Sequence, residues 1–387
     1  MGIAATPSHA ESIRSQQWHL TAMKAEEMWQ TSTGKGVTVA VIDTGVDPAN
    51  PDLKGRVLDG QDFAPASRAG DEHTDYEGHG TGMAGLIAGT GADGGGNGAF
   101  GLAPGADVLP VRMPDDDDVS PFAGPEILSK AIRYATDAGA QVINISMAGS
   151  MGTPKLSEAV RYAVGKGALI FAGTGNDGDK KDGVGYPAAT PGVVGVAAVG
   201  NDLKRTSFSQ YGPQADLAAP GIDMVHACGG KTGLCKTSGT SDATAIASAS
   251  AALIWSKHPD WTNNQVLRVM LNTAGAPTSG AERNDYIGYG IVRPRIALKT
   301  PGDPGPADEY PLPDLAVAEP KSPSPGATEP AGNEVEEDQQ SAVPAREEDS
   351  DAALWVVLGV AAATLLGAAV AIPVVRARRR NTTFIGQ

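Results

Sequence analysis

Three segments place a chemically capable side chain among glycines or at the end of an apolar run: Asp43 in VAVIDTGVD, His79 in GHGTGMAGLIAG and Ser241 in GTSDATAIASASAAL. A hydroxyl, an imidazole and a carboxylate are what nucleophilic attack on an acyl carbon requires: a weak nucleophile, a base to take its proton and an anion to orient the base. Each residue also has a plainer reading. Asp43 could cap a turn, His79 could be a packed structural histidine, and Ser241 could serve only as an N-cap. The glycines flanking His79 leave its ring uncrowded, and a helix starting at Ser241 offers backbone N–H groups to a developing oxyanion. Asp-Thr-Gly also occurs where two carboxylates share a proton, but that chemistry needs a second copy and this chain holds one.

The elements that must position these residues are legible from periodicity. Residues 37–42 (VTVAVI) form a continuous apolar run, the mark of a strand buried on both faces of a parallel sheet. Comparable runs occupy 108–111, 142–145, 168–172 and 193–199. Helical periodicity over 124–138 and 156–166 joins them, and Thr262 with Gln265 makes a capping box that opens a later helix. Strands and helices in alternation predict an α/β fold with a doubly wound, mostly parallel sheet, whose functional residues collect at the carboxyl ends of strands.

The 387 residues include 50 glycines and 28 prolines, yet 41 % apolar residues without a Gly-X-Y repeat describe a globular chain rich in tight turns. Two cysteines are too few for a disulfide scaffold or a four-cysteine zinc site. The net charge of −15 is local: fourteen acids against Lys321 and Arg346 give −12 over 301–351, while Arg376, Arg378, Arg379 and Arg380 return four positive charges. The first 300 residues then carry −7, a modest value that argues against a nucleic-acid partner.

Asp, His and Ser in that chain order, in segments of these compositions, closely resemble the three signature segments of the subtilisin-like serine peptidases. The resemblance runs over roughly residues 18–298 and implies a sheet of subtilisin type, a polypeptide substrate and a catalytic set of Asp43, His79 and Ser241. It further implies that Asn176, in GTGNDG, is the side-chain oxyanion donor. The segment VINISMAG, with Ser146, Met147, Ala148 and Gly149, would pair with substrate and wall its pocket together with Gly173, Thr174 and Gly175. Tyr186-Pro187-Ala188 resembles another part of that pocket, and Gly288-Tyr289-Gly290 the close of the domain. Two positions depart from the family's habit of Met or Phe after the nucleophile and Pro four residues beyond it, since here they are Asp242 and Ala245. A carboxylate beside the nucleophile would oppose an oxyanion if it pointed inward, and loss of proline would alter the bend of the helix.

Domain organisation follows from composition. Residues 1–10 read as the remnant of a signal peptide, because Ser8-His9-Ala10 carries the small residues of a cleavage site; the peptidase domain occupies 11–300. The Pro-rich and then acidic stretch 301–351 reads as a disordered, solvated linker. Residues 352–375 hold no charge and at ~1.5 Å each would span a bilayer core of ~30 Å as one transmembrane helix. The basic tail 376–387 then stays cytoplasmic by the positive-inside rule, which places the domain outside a plasma membrane. Gly359, Ala363, Gly367 and Ala371 recur every four residues and would let a second helix approach.

This architecture resembles the mycosins, the membrane-anchored subtilases associated with type VII secretion, and so implies secretion components as partners. It also leaves a catalytically silent structural subunit, or a stalked binding module, as alternatives. The outward location permits a disulfide between Cys228 and Cys235, against two free thiols. The acidic run at positions 115–118 reads either as a solvated turn or as a groove favouring basic residues before the cut. The mechanism needs no cofactor. Calcium is common in the family, and Asp47, Asp52 and the loop 94–98 could offer oxygens, but their spacing assigns no site.

Overall fold

A computed structural model describes residues 12–114, 123–180, 183–229 and 232–318. The stretches expected to be a signal-peptide remnant (1–10), a transmembrane helix (352–375) and a basic tail (376–387), and the acidic run at 115–118, lie outside the described residues; among those described, no helix is long and apolar enough to cross a membrane.

The described residues form nine strands: β1 (Thr38–Asp43), β2 (Gln61–Asp62), β3 (Asp107–Arg112), β4 (Val142–Ile145), β5 (Leu169–Gly173), β6 (Val193–Val199), β7 (Leu217–Pro220), β8 (Met224–Ala227) and β9 (Leu234–Thr237). The helices are α1 (Ile13–Gln16), α2 (Trp18–Met23), α3 (Ala25–Trp29), α4 (His79–Ala88), α5 (Asp93–Gly96), α6 (Gly124–Asp137), α7 (Pro154–Gly165), α8 (Thr240–Lys257), α9 (Asn263–Thr273), α10 (Pro294–Lys299) and α11 (Pro313–Ala318). The first seven strands form one sheet in the order β2-β3-β1-β4-β5-β6-β7, every pair parallel, and β8 and β9 form a separate antiparallel hairpin.

The continuous apolar runs have the cause expected of them. In β1, Val39 and Val41 face a core shared with α4, α8 and α9, while Ala40 and Ile42 face a second core under α6 and α7. With a side-chain period of two and helices on both faces, the inner strands are apolar at nearly every position, and the exception in β4, Asn144, is bonded to Ser146 and Ser248. α8 is buried on nearly every side, which is why ASASAAL lacks an amphipathic stripe. The capping box stands as read, Thr262 and Gln265 each engaging the other's backbone N–H at the start of α9.

The expectation of a solvated linker from residue 301 onward is corrected as far as residue 315. The Arg268 guanidinium donates to the carbonyls of Pro304, Pro306 and Glu309, and the Asn264 amide donates to that of Ala307. Leu312 is buried against the core, and Gly192 N–H donates to the Asp314 carboxylate at 2.8 Å. Prolines keep this stretch extended, so its carbonyls, unpaired within it, are met by side chains of α9.

Candidate active site

Parallel strands bring β1 and β5 to the sheet centre with their carboxyl ends on one edge, and α4 and α8 begin there. Asp43 is the last residue of β1 and His79 the first of α4. His79 Nδ1 lies 2.7 Å from Asp43 Oδ1, the carboxylate 1 % and the imidazole 37 % exposed. Gly80 makes this approach feasible, because a Cβ there would stand 2.1 Å from the Gly45 carbonyl oxygen. The Asp43 carboxylate, and less strongly Asp242 and Asp75, raise the His79 pKa to about 9 against the opposing effect of burial.

The start of α4 is held by a residue the sequence reading passed over. Asp75 Oδ1 accepts from Gly78 N–H and Thr44 Oγ1, and its Oδ2 accepts from Thr81 N–H and Oγ1 at 2.8 and 2.6 Å. One carboxylate thereby ties β1's end to the helix that carries the imidazole. An acid just ahead of a helix start is a capping signal, and Asp75 carries it.

Ser241 sits in the first turn of α8, half-buried. Its hydroxyl donates to the Ser146 carbonyl at 3.2 Å rather than to the imidazole, so the structure brings together Asp43 and His79 but leaves Ser241 turned toward β4. Ser146 Oγ in turn donates to the Ser241 carbonyl at 3.4 Å, and Ser248 and Asn144 bond beneath it, fastening α8 to β4.

Asn176 follows β5. Its Oδ1 accepts from Thr240 N–H at 2.9 Å and Thr240 Oγ1 at 3.0 Å, which turns Nδ2 to the opposite side. Gly175 N–H donates to the same Thr240 hydroxyl, Gly173 lies against Thr240, and Thr174 is buried with its hydroxyl on the Gln210 carbonyl. Met147 packs on the second core, and Ala148 and Gly149 are exposed, Gly149 pairing with Tyr186 through two backbone bonds.

Cys228 and Cys235 are joined, closing the β8–β9 hairpin. Asp242 is 2 % exposed; its Oδ1 accepts from the Thr237 hydroxyl and lies 3.8 Å from His226 Nε2. Ala245 lies within a helix that continues unbroken to Lys257. Of the oxygens considered for calcium, Asp52 Oδ1 and Oδ2 accept from Asp93 and Ala99 N–H, both at 2.8 Å, and Asp47 Oδ1 accepts from Ala49 N–H. Asp59, Glu72 and His73 also converge closely enough to hold a cation, though Glu72 accepts from Gly60 N–H and His73 Nε2 faces the Leu58 carbonyl.

A profile of the subtilase family, the S8 peptidases, matches residues 34–290. The chain belongs to this family. It is 34 % identical over 292 residues to subtilisin NAT of Bacillus subtilis subsp. natto, covering 75 % of this chain and 73 % of that protein. With the subtilisin of Bacillus pumilus it shares 35 % over 272 residues, 70 % of this chain and 94 % of the other. Among solved structures, MycP1 of Mycobacterium smegmatis superposes with a TM-score of 0.67 at 28 % identity, covering 79 % of this chain and 89 % of that one. MycP3, a protease from the type VII (ESX-3) secretion system, gives 0.64 at 32 %, with coverage of 76 % and 90 %. This subtilase is a subtilisin-like serine endopeptidase, and its structural neighbours are mycosins.

Proposed function

We propose that this subtilase cleaves polypeptides through Asp43, His79 and Ser241, anchored by residues 352–375 with its domain outside the plasma membrane, in association with type VII secretion. The observation that carries the catalytic part is the 2.7 Å contact of His79 Nδ1 with a buried carboxylate at a strand end. In the neutral ring that contact keeps the proton on Nδ1 and leaves Nε2 as the base.

In this reading the Ser241 hydroxyl leaves the Ser146 carbonyl for Nε2 when substrate binds. Attack on the peptide carbonyl then passes the proton to His79, which later gives it to the leaving amine. Asp43 holds the tautomer and stabilises the imidazolium. The oxyanion meets Ser241 N–H and Asn176 Nδ2, whose orientation Thr240 fixes. The exposed residue Ala148, just ahead of the Gly149 backbone that Tyr186 holds, would offer an edge to an extended substrate, with Ser146, Met147 and the 173–175 segment lining the pocket beside it. Nothing in these steps calls on a metal.

The secretion role rests on the likeness to MycP1 and MycP3 and on the sequence beyond the described residues. The silent-subunit reading draws on one observation, the resting bond from Ser241 to Ser146. Fluorophosphonate labelling separates the two. An adduct located by mass spectrometry at Ser241, lost in Ser241→Ala and His79→Ala, is the expected result, whereas a folded protein that takes no label would favour the subunit.

A further inference from the structure

Asp242 occupies the position next to the nucleophile, and its side chain is 3 % exposed, as deep as a core aliphatic. It does not stand alone. The Thr237 hydroxyl of β9 lies between it and His226 of β8, whose Nε2 is 2.8 Å from Thr237 Oγ1 and whose Nδ1 is 2.8 Å from the Ala227 carbonyl. The array is wedged between the two helices of the active site. Asp242 is in the first turn of α8, and the His226 ring lies against α4 one turn beyond His79, where a Cβ on Gly82 would come within 2.7 Å of its Cε1.

Counting protons restricts its states. The Ala227 carbonyl can only accept, so His226 Nδ1 carries a proton. With Asp242 protonated, the chain runs one way: carboxyl to Thr237, Thr237 to Nε2, Nδ1 to carbonyl, and every partner is satisfied. With Asp242 ionised, the single Thr237 proton turns to the carboxylate and His226 Nε2 faces a lone pair. Ionisation thus releases one proton, flips one hydroxyl and places a negative charge behind Ser241.

We propose that Asp242 is a positioning residue of the active site: through Thr237 and His226 it forms a buried array with one dissociable proton, and the charge left on releasing it sets how firmly His79 holds its own. This rests on the peptidase reading above. Burial raises the Asp242 pKa to about 6 and lowers that of His226 to about 4, and Asp242 raises that of His79. The titratable groups facing the array are His79 on α4, backed by Asp43 and Asp75, and the buried His19 of α2 beside His226.

The test is the pH profile of phosphonylation by a fluorophosphonate, measured on the full chain. Asp242→Asn cannot ionise, so its acid limb is expected at lower pH by roughly half a unit or more, about a threefold higher fraction of plateau rate on that limb. Thr237→Val keeps the carboxylate, which is already ionised where His79 titrates, so its limb is expected to stay with wild type; a shift equal to that of Asp242→Asn would show that packing and not charge moves it, and would overturn the proposal. An acid limb that superimposes on wild type in Asp242→Asn, or in Asp242→Ser should the former not fold, overturns the proposal. Titration of the His79 imidazole by NMR in the same variants reads the coupling without catalysis. A wild type that takes no label at any pH would therefore refute the peptidase reading alone.

Discussion

Asn176 gives two measurable quantities from one side chain. Its Oδ1 accepts both the N–H and the hydroxyl of Thr240, which is 2 % exposed, so the carboxamide cannot turn over without losing both bonds. Nδ2 is thereby committed to the side where an oxyanion forms. Removing such a donor costs about 2.7–4 kcal/mol of transition-state stabilisation, or roughly 10²–10³ in rate. Asn176→Ala loses that donor and also strands a buried N–H, for a further ~1–3 kcal/mol of folding stability. Asn176→Asp separates the two effects, since its carboxylate still accepts from Thr240 but presents an anionic oxygen where a donor is needed. Its urea midpoint should match wild type, while its phosphonylation rate falls by at least about 10². Fluorophosphonate labelling rates report the hole directly, because the phosphoryl oxygen gains charge in it. An Asn176→Asp variant reacting within threefold of wild type would refute the assignment, however the alanine variant behaved.

Three further outcomes are expected. Because Asp43 raises the His79 pKa to about 9, the free base, and with it the labelling rate, should increase with pH through the range above 6.5; by linkage, the stability from the ion pair is fully present below 6.5 and is lost as pH rises through about 9, as urea unfolding across that range will test. Asp52→Asn leaves either the Asp93 N–H or the buried Ala99 N–H facing a donor and should cost about 1–3 kcal/mol, read as a lower urea midpoint at constant slope; if added calcium stabilises wild type and not this variant, the carboxylate is a cation ligand instead. Arg268→Ala frees three carbonyls and should cost about 2 kcal/mol, with hydrogen exchange accelerated over residues 304–315 and little change at β4.

How much the sequence disclosed depended on the range of the interaction. β1 and β5 were legible because burial on both faces admits only apolar residues, and Asp43 at the end of β1 stood out as the polar residue that breaks the run. The capping box at Thr262 was legible because both its members lie within four residues. By contrast, the worth of Asp75 depends on Thr44, 31 positions away, and Thr237 becomes a link only when the hairpin brings His226 and α8 to it. Residues 301–315 misled for the same reason. Proline and acid composition describes a chain in water, and nothing local announces that Arg268 will gather three of its carbonyls.

The two departures from the family pattern weigh differently once placed. Ala245 sits inside a regular helix, where its N–H continues the ladder that a proline would interrupt, so its consequence is a straight start to α8 and nothing chemical. Asp242 is costly to bury and would be poorly tolerated without partners. It has them: Thr237 and His226 come from one hairpin, and Cys228–Cys235 closes the far end of that hairpin. Asn50 Nδ2 fastens the same end by bonding the Cys228 and Gly233 carbonyls, and Gly78 at the start of α4 rests on Gly229. A single braced hairpin therefore supports the imidazole helix at one end and the nucleophile helix at the other, and the carboxylate that looked like an obstacle to catalysis is the point where the two supports meet.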